Sequence, residues 1–313
     1  MRSKLTIILF ACLLLLTMAC DNPAQEHLKQ GDLYLEQGKT EQAFAEYGKA
    51  IELDPDLAAI HLSDLAQSYR PEMAQIYLNR ALAARDKRET GTAERALTTA
   101  IKFDPNLAEA YSYRAIVALE SGAPYTGITT WDEVFADCNK AIELKPDYAK
   151  AYDARGFANY KVGKSDQCIA DYSKSIELDP NDAIAYYHRG LIYYEQKQWD
   201  LALPDLSKSL ELDPNGIQCQ YYRGTIYNSR EEWDPAIADL SKVAARASIA
   251  WPEPSQELAK AYYQRGVDYL EKGEREKAIT DLQKAIDLAQ DAYNAELKAK
   301  AKQQLEELGV KER

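Results

Sequence analysis

The chain has 313 residues, with 50 Asp and Glu against 38 Lys and Arg and a formal net charge of −12. Nucleic-acid binding rests on neutralising phosphates. No basic run interrupts this acidic background, so nucleic acid is excluded as a partner and so is broad adhesion to anionic lipid.

Residues 1–20 stand apart from the rest. Arg2 and Lys4 form a basic start, Leu5 to Leu16 is a 12-residue apolar run, and Thr17-Met18-Ala19-Cys20 follows. This is the layout of a secretory signal peptide, and it is short of the roughly 20 residues that a spanning helix needs. The tail resembles the lipobox of bacterial lipoproteins, with Thr17 where Leu is commoner. That resemblance implies removal of residues 1–19 and lipid attachment at Cys20. It places the mature chain on the extracytoplasmic face of a bacterial cell membrane. In a bacterium with two membranes, Asp21 after the cysteine resembles the signal for retention in the inner one. A chain starting at Cys20 loses Arg2 and Lys4 and carries −14. Residues 20–23 are then a short linker, and Asp21 or Asn22 is placed to cap a helix ahead of Pro23.

From residue 24 a helix-turn-helix pattern recurs. Pro146, Pro180 and Pro214 stand 34 residues apart, as do Gly156, Gly190 and Gly224. Apolar residues recur at three and four, which excludes strands. A period of this size marks stacked units, none able to bury its apolar face alone. Seven units are expected, at 24–57, 74–107, 108–148, 149–182, 183–216, 217–250 and 259–292. The spacing exceeds 34 in three places, predicting an extra helix near 58–70, an enlarged turn near 123–130 and a break at Trp251-Pro252-Glu253-Pro254. Trp131, Trp199 and Trp233 share one register position, at the start of a second helix. Asp-Pro-Asn runs end one helix and cap the next, and Asp234-Pro235 reads as a cap with proline in the first turn. Residues 293–313 hold a last amphipathic helix, with Leu297, Leu305 and Leu308, suited to capping the stack. The fold class is all-α, a superhelical solenoid of about seven helical pairs.

The units resemble the tetratricopeptide repeat. Tyr186, Gly190, Tyr193, Ala202, Leu206 and Pro214 carry the match in the fifth unit, and Gly31, Tyr34, Ala43, Tyr47, Ala50 and Pro55 in the first. The resemblance implies a protein-binding scaffold whose first helices line a concave groove. On that register Tyr160, Tyr187, Tyr194, Tyr221 and Tyr263 are the candidate partner-binding residues. Tyrosine offers area and a hydroxyl at low entropy cost, which suits an extended peptide or a helix. The same rings can instead pack adjacent first helices together. Chaperone-binding members of the family clamp two carboxylates. Here only Asn79 fits that pattern, with Leu28, Asp32, Glu109 and Tyr113 at other clamp positions, so the clamp is absent.

Arg precedes the small position in six units, at Arg80, Arg114, Arg155, Arg189, Arg223 and Arg265. An acid recurs on the second helix at Asp137, Asp171, Asp205, Asp239 and Asp281. Gln30 faces Glu46 in the first unit, and Ala96 leaves Arg80 without its acid. This co-occurrence predicts a ladder of Arg–Asp bridges within units or between neighbours; a basic stripe that reads an anionic ligand is the functional alternative. Cys138, Cys168 and Cys219 read as buried packing residues rather than a disulfide pair or metal ligands. His27, His61 and His188 lie far apart in sequence and read as surface or packing residues. No nucleophile elbow, phosphate loop or zinc motif occurs, so neither an enzyme nor a cofactor or metal is expected. The reading is a membrane-anchored, non-enzymatic adaptor for envelope proteins, with a subunit that binds a small molecule or glycan in the tyrosine groove as the alternative.

Overall fold

The computed structural model describes residues 22–62, 69–122, 130–246, 253–289 and 295–310. The signal segment, Cys20, Asp21, residues 63–68 of the expected extra helix, residues 123–129 where an enlarged turn is expected, and Trp251-Pro252 lie outside the described residues. Sixteen helices and no strand occur among those described. They are α1 (Pro23–Glu36), α2 (Thr40–Leu53), α3 (Pro55–Leu62), α4 (Arg70–Asp86), α5 (Thr90–Phe103), α6 (Ala108–Ser121), α7 (Trp131–Leu144) and α8 (Ala149–Lys161). The chain continues with α9 (Ser165–Leu178), α10 (Ala183–Glu195), α11 (Trp199–Leu212), α12 (Ile217–Ser229), α13 (Trp233–Ala244), α14 (Glu253–Glu271), α15 (Arg275–Leu288) and α16 (Ala295–Glu307). They form two compact units, one ending at Ala158 and the other beginning at Asn159.

The helix ends follow from their residues. Asn22 caps α1 by accepting the Ala24 amide at 3.0 Å, with Pro23 in the first turn. Asp54, Asp104, Asp179 and Asp213 each end a helix, and each carboxylate then accepts an amide two or three residues on. Asp182 caps α10 through the Ile184 and Ala185 amides. Asp234 is not the cap foreseen for α13. That place belongs to Glu232, and Asp234 and Pro235 both lie inside the first turn. The Asp234 carboxylate turns outward and accepts from Arg265 Nη1 at 2.5 Å.

In the first unit, Tyr47, Ile51, Leu62, Met73, Tyr77 and Leu97 are fully buried between successive pairs. Gly31 is obligatory there: a Cβ would lie 2.3 Å from Tyr47 Cε1. The residues in excess of 34 between Pro55 and Pro105 do not shift the register. Helix α3 starts at Pro55 itself, because Asp54 both ends α2 and caps α3. The chain then returns to its usual place. Tyr152 hydroxyl donates to the Pro146 carbonyl and Gln220 amide to the Pro214 carbonyl, each six residues back. Tyr77 makes the same bond to Pro55, across the insertion.

In the second unit, α10 pairs with α11, α12 with α13 and α14 with α15. Leu206, Ile226, Leu240 and Leu282 are buried in that order along the stack. Helix α14 begins at Glu253, so it is longer at its start than the other first helices and buries Pro254. Helix α16 buries Ala301 and Leu305 against Leu282, with Leu308 alongside, and thereby covers the last pair.

The predicted ladder of Arg–Asp bridges is present within units at four of the six arginines, and a contact to the preceding unit that was not foreseen accompanies it. Arg114, Arg189, Arg223 and Arg265 each hold the Asp of their own second helix (Asp137, Asp205, Asp239 and Asp281) through Nε and Nη2, at 2.6–3.0 Å. The third edge reaches the preceding second helix: Arg114 to Thr98, Arg189 to Ser173 and Arg223 to Ser207. Arg155 makes that contact to Asn139 at 2.8 Å. One guanidinium thus joins a pair internally and to the pair before it, which only a planar five-donor fork can do. Gln30 and Glu46 depart from the pattern: Glu46 is held instead by His27 and Lys49. The basic stripe is therefore neutralised at Arg114, Arg189, Arg223 and Arg265.

Candidate functional site

The candidate tyrosines of the second unit lie on its first helices. A helix turn brings residues three and four apart onto one face, so Ile184, Tyr187, Leu191 and Tyr194 share a face of α10. Of these, Ile184 is 63% exposed although it is aliphatic, whereas Leu191 is buried. Isoleucine on a helix surface with no cover of its own is an apolar contact point beside the tyrosines.

Four of the five candidate tyrosines join in one neighbourhood, and a sixth ring joins them. Tyr222 on α12 lies 6.4 Å from Tyr187, 4.9 Å from Tyr194 and 5.4 Å from Tyr221, ring centre to ring centre. These are the offset and tilted geometries that ring quadrupoles favour. Tyr160, at the end of α8, donates its hydroxyl to Glu195 at the end of α10 at 2.8 Å. Thr225 hydroxyl lies 3.3 Å from that of Tyr194. The rings therefore do pack adjacent first helices, and they remain half-exposed while doing so. Tyr263 is placed elsewhere, packed with Leu282, Ala301 and Leu305 where α16 covers the stack. Tyr222 and Ile184 were missed from the sequence. Tyr222 falls at a register position that the family resemblance does not assign to the groove; the doublet Tyr221-Tyr222 was the available signal. Ile184 does fall on a groove position, but attention to tyrosine passed over it.

Burial sets the chemistry of these groups. It raises the hydroxyls of Tyr160, Tyr187 and Tyr222 above the ordinary phenol range, and that of Tyr221 to about 12. Glu195 adds to the effect at Tyr160 by accepting its hydrogen bond. All of them are neutral donors at physiological pH. His188 stacks on Tyr172 at 5.3 Å and tilts against Tyr187 at 4.9 Å. Loss of water around it lowers its pKa to about 4, so it is an uncharged part of the packing near neutrality. Cys168 and Cys219 are pushed up to about 12 and about 11 by burial, and neither offers a thiolate. Cys138 is buried as well. Among the described residues no three His, Cys, Asp or Glu side chains converge as metal ligands. This surface can offer apolar area and neutral hydroxyls to a ligand.

Comparison with known proteins accords with this architecture. Models of the tetratricopeptide repeat match residues 183–215 and 259–292, and a model of the TPR repeat matches 31–63 and 163–197. The chain thus carries tetratricopeptide repeats, which generally mediate protein–protein interactions. Among solved structures it is similar to YrrB, described as a TPR protein with an unusual peptide-binding site. The identity is 25%, over 67% of this chain and 100% of that one, with a TM-score of 0.50. It is also similar in fold to PilF of Pseudomonas aeruginosa, at 17% identity over 74% of this chain and 99% of that one, with a TM-score of 0.56.

Proposed function

We propose that this chain is a non-enzymatic adaptor that binds a peptide or helix of a partner protein on the tyrosine face of α10 and α12. The observation that carries the reading is the half-exposed group of Tyr187, Tyr194, Tyr221 and Tyr222 beside the exposed Ile184. Rings held in place by one another lose little freedom when a ligand arrives, and they combine apolar area with a polar edge. The likeness to a peptide-binding repeat protein supports the same class of ligand. No helix among the described residues is long and apolar enough to cross a membrane. Attachment is proposed instead through a lipidated Cys20, which would hold the stack close to the bilayer on the extracytoplasmic face, with Asp21 favouring an inner membrane.

A pull-down with the chain from Asp21 onward tests the adaptor. A saturable protein partner that is lost in Tyr187→Ala/Tyr221→Ala supports it. Retention of the partner by that variant removes the tyrosine face from the account. Melting shifts with sugars and no recovered protein would favour the small-molecule or glycan alternative. Lipid attachment is tested separately by acyl labelling in cells. Label on the native chain that disappears in Cys20→Ser is the expected result, and label persisting in Cys20→Ser contradicts it.

A further inference from the structure

The arginine ladder has one vacant rung. Elsewhere the guanidinium holds an Asp on its own second helix and a hydroxyl or amide on the preceding one. Around Arg80 both partners are truncated. Ala96 stands where Asp137, Asp205, Asp239 and Asp281 stand in other units. Gly48 on α2 stands where Thr98, Asn139, Ser173 and Ser207 stand. Each loss leaves one mark. Arg80 Nε, the atom that would meet the acid, and Nη1, the atom that would meet the hydroxyl, are both buried and have no hydrogen-bond partner.

Space accompanies the unmet donors. A cavity of about 510 Å³ opens beside Arg80, lined also by Gly48, Ile76 and Asn79, with Lys87 and the carboxylates of Glu52 and Glu89 on its walls. That volume falls within the range of small-ligand sites. Packing does not demand the glycine: a Cβ at Gly48 would meet only Ile76 Cγ2, at 3.9 Å. Glycine inside a helix is itself unfavourable, so the position gives up helix stability and leaves room. Burial lowers the pKa of Arg80, and Glu52 and Asp56 counter that only through space. Buried donors of a cation left unmet are costly unless something supplies the acceptors.

We propose that this cavity is a binding site for an organic carboxylate that carries a second oxygen acceptor. The carboxylate takes the place of the missing Asp on Nε, and the second oxygen takes the place of the missing hydroxyl on Nη1. Ile76 accepts a short apolar body, and Asn79 adds a polar contact. A hydroxy acid or dicarboxylate meets this description, and so does an aspartyl side chain with its own backbone carbonyl. The place differs from the family's two-carboxylate clamp, whose residues this chain lacks.

The test is thermal unfolding and titration calorimetry of the full chain with malate and with acetyl-aspartyl-glycine amide, against sodium chloride of equal ionic strength. One or both ligands raise the melting temperature of the native chain. Malate alone identifies a free acid as the source, and the peptide alone identifies a partner's acidic side chain. Ala96→Asp rebuilds the internal rung, so it melts higher without ligand and responds to neither. Arg80→Gln also loses the response and keeps at least the native melting temperature, because two unmet buried donors have gone. The proposal is overturned if neither ligand exceeds the salt control, or if Ala96→Asp or Arg80→Gln responds as the native chain does.

Discussion

At the scale of single residues the arginine forks carry the most specific chemistry. In the pair of Arg223 and Asp239 the two side chains are 22% and 4% exposed, so the bridge is shielded enough to matter. Lysine can supply one point charge but not three directed bonds. Arg223→Lys is therefore expected to destabilise the second unit by about 2 kcal/mol, the scale of hydrogen bonds to a charged group, as read by urea unfolding. The recurrence of Arg with Asp was legible because both sit in a fixed register. The third edge, toward Ser or Thr of the preceding helix, was not legible, since those residues are common everywhere on helix surfaces. His188 yields a prediction in pH. Its folded value is about 4 against the ordinary histidine value of 6.5, because burial disfavours the imidazolium. Above 6.5 both states are neutral and the group contributes nothing. As pH falls from 6.5 to 4 the unfolded chain takes up the proton first, and stability declines by up to about 3 kcal/mol. The melting temperature of His188→Phe should lack this decline, and an unchanged decline would assign it to other groups.

At the scale of helices and turns, one position between first and second helices decides how each pair closes. Gly38, Gly122, Gly163 and Gly273 adopt positive φ there, and so do Arg88, Lys197 and Glu231, with φ of 61°, 59° and 63°. Side chains resist that region and glycine does not. Glu231→Gly should stabilise the second unit by roughly 0.5–1 kcal/mol, the relief of a left-handed side chain less the entropy of glycine in the unfolded chain. Differential scanning calorimetry would check it. Helix existence was legible throughout, because proline, Asp caps and three-four periodicity all agree. Boundaries were less so. Asp54 serves two helices at once, which moved the start of α3 to Pro55, and Pro254 sits within a first turn and so lengthens α14 instead of breaking it.

At the scale of the whole molecule, the repeat was legible because 34-residue spacing involves dozens of residues, none of them decisive alone. The division into two compact units was not, since no linker composition marks Ala158 and Asn159. The candidate site was legible in part. The register singled out Tyr160, Tyr187, Tyr194 and Tyr221, while the central ring, Tyr222, depends on how α10 and α12 meet. Tyr263 followed the same register rule, yet its ring packs where the last helix covers the stack. The account's central claim is that the first-helix face of the second unit, and not its second-helix face, receives a protein. Two exposed aliphatic residues report on the two faces: Ile184 on α10, at 63% exposure, and Leu201 on α11, at 51%. A photoreactive amino acid placed at each position, with irradiation of the chain in cells, compares them directly. A discrete protein adduct from position 184 with none from position 201 is the predicted result; an adduct from position 201 alone, or equal adducts from both, would contradict it.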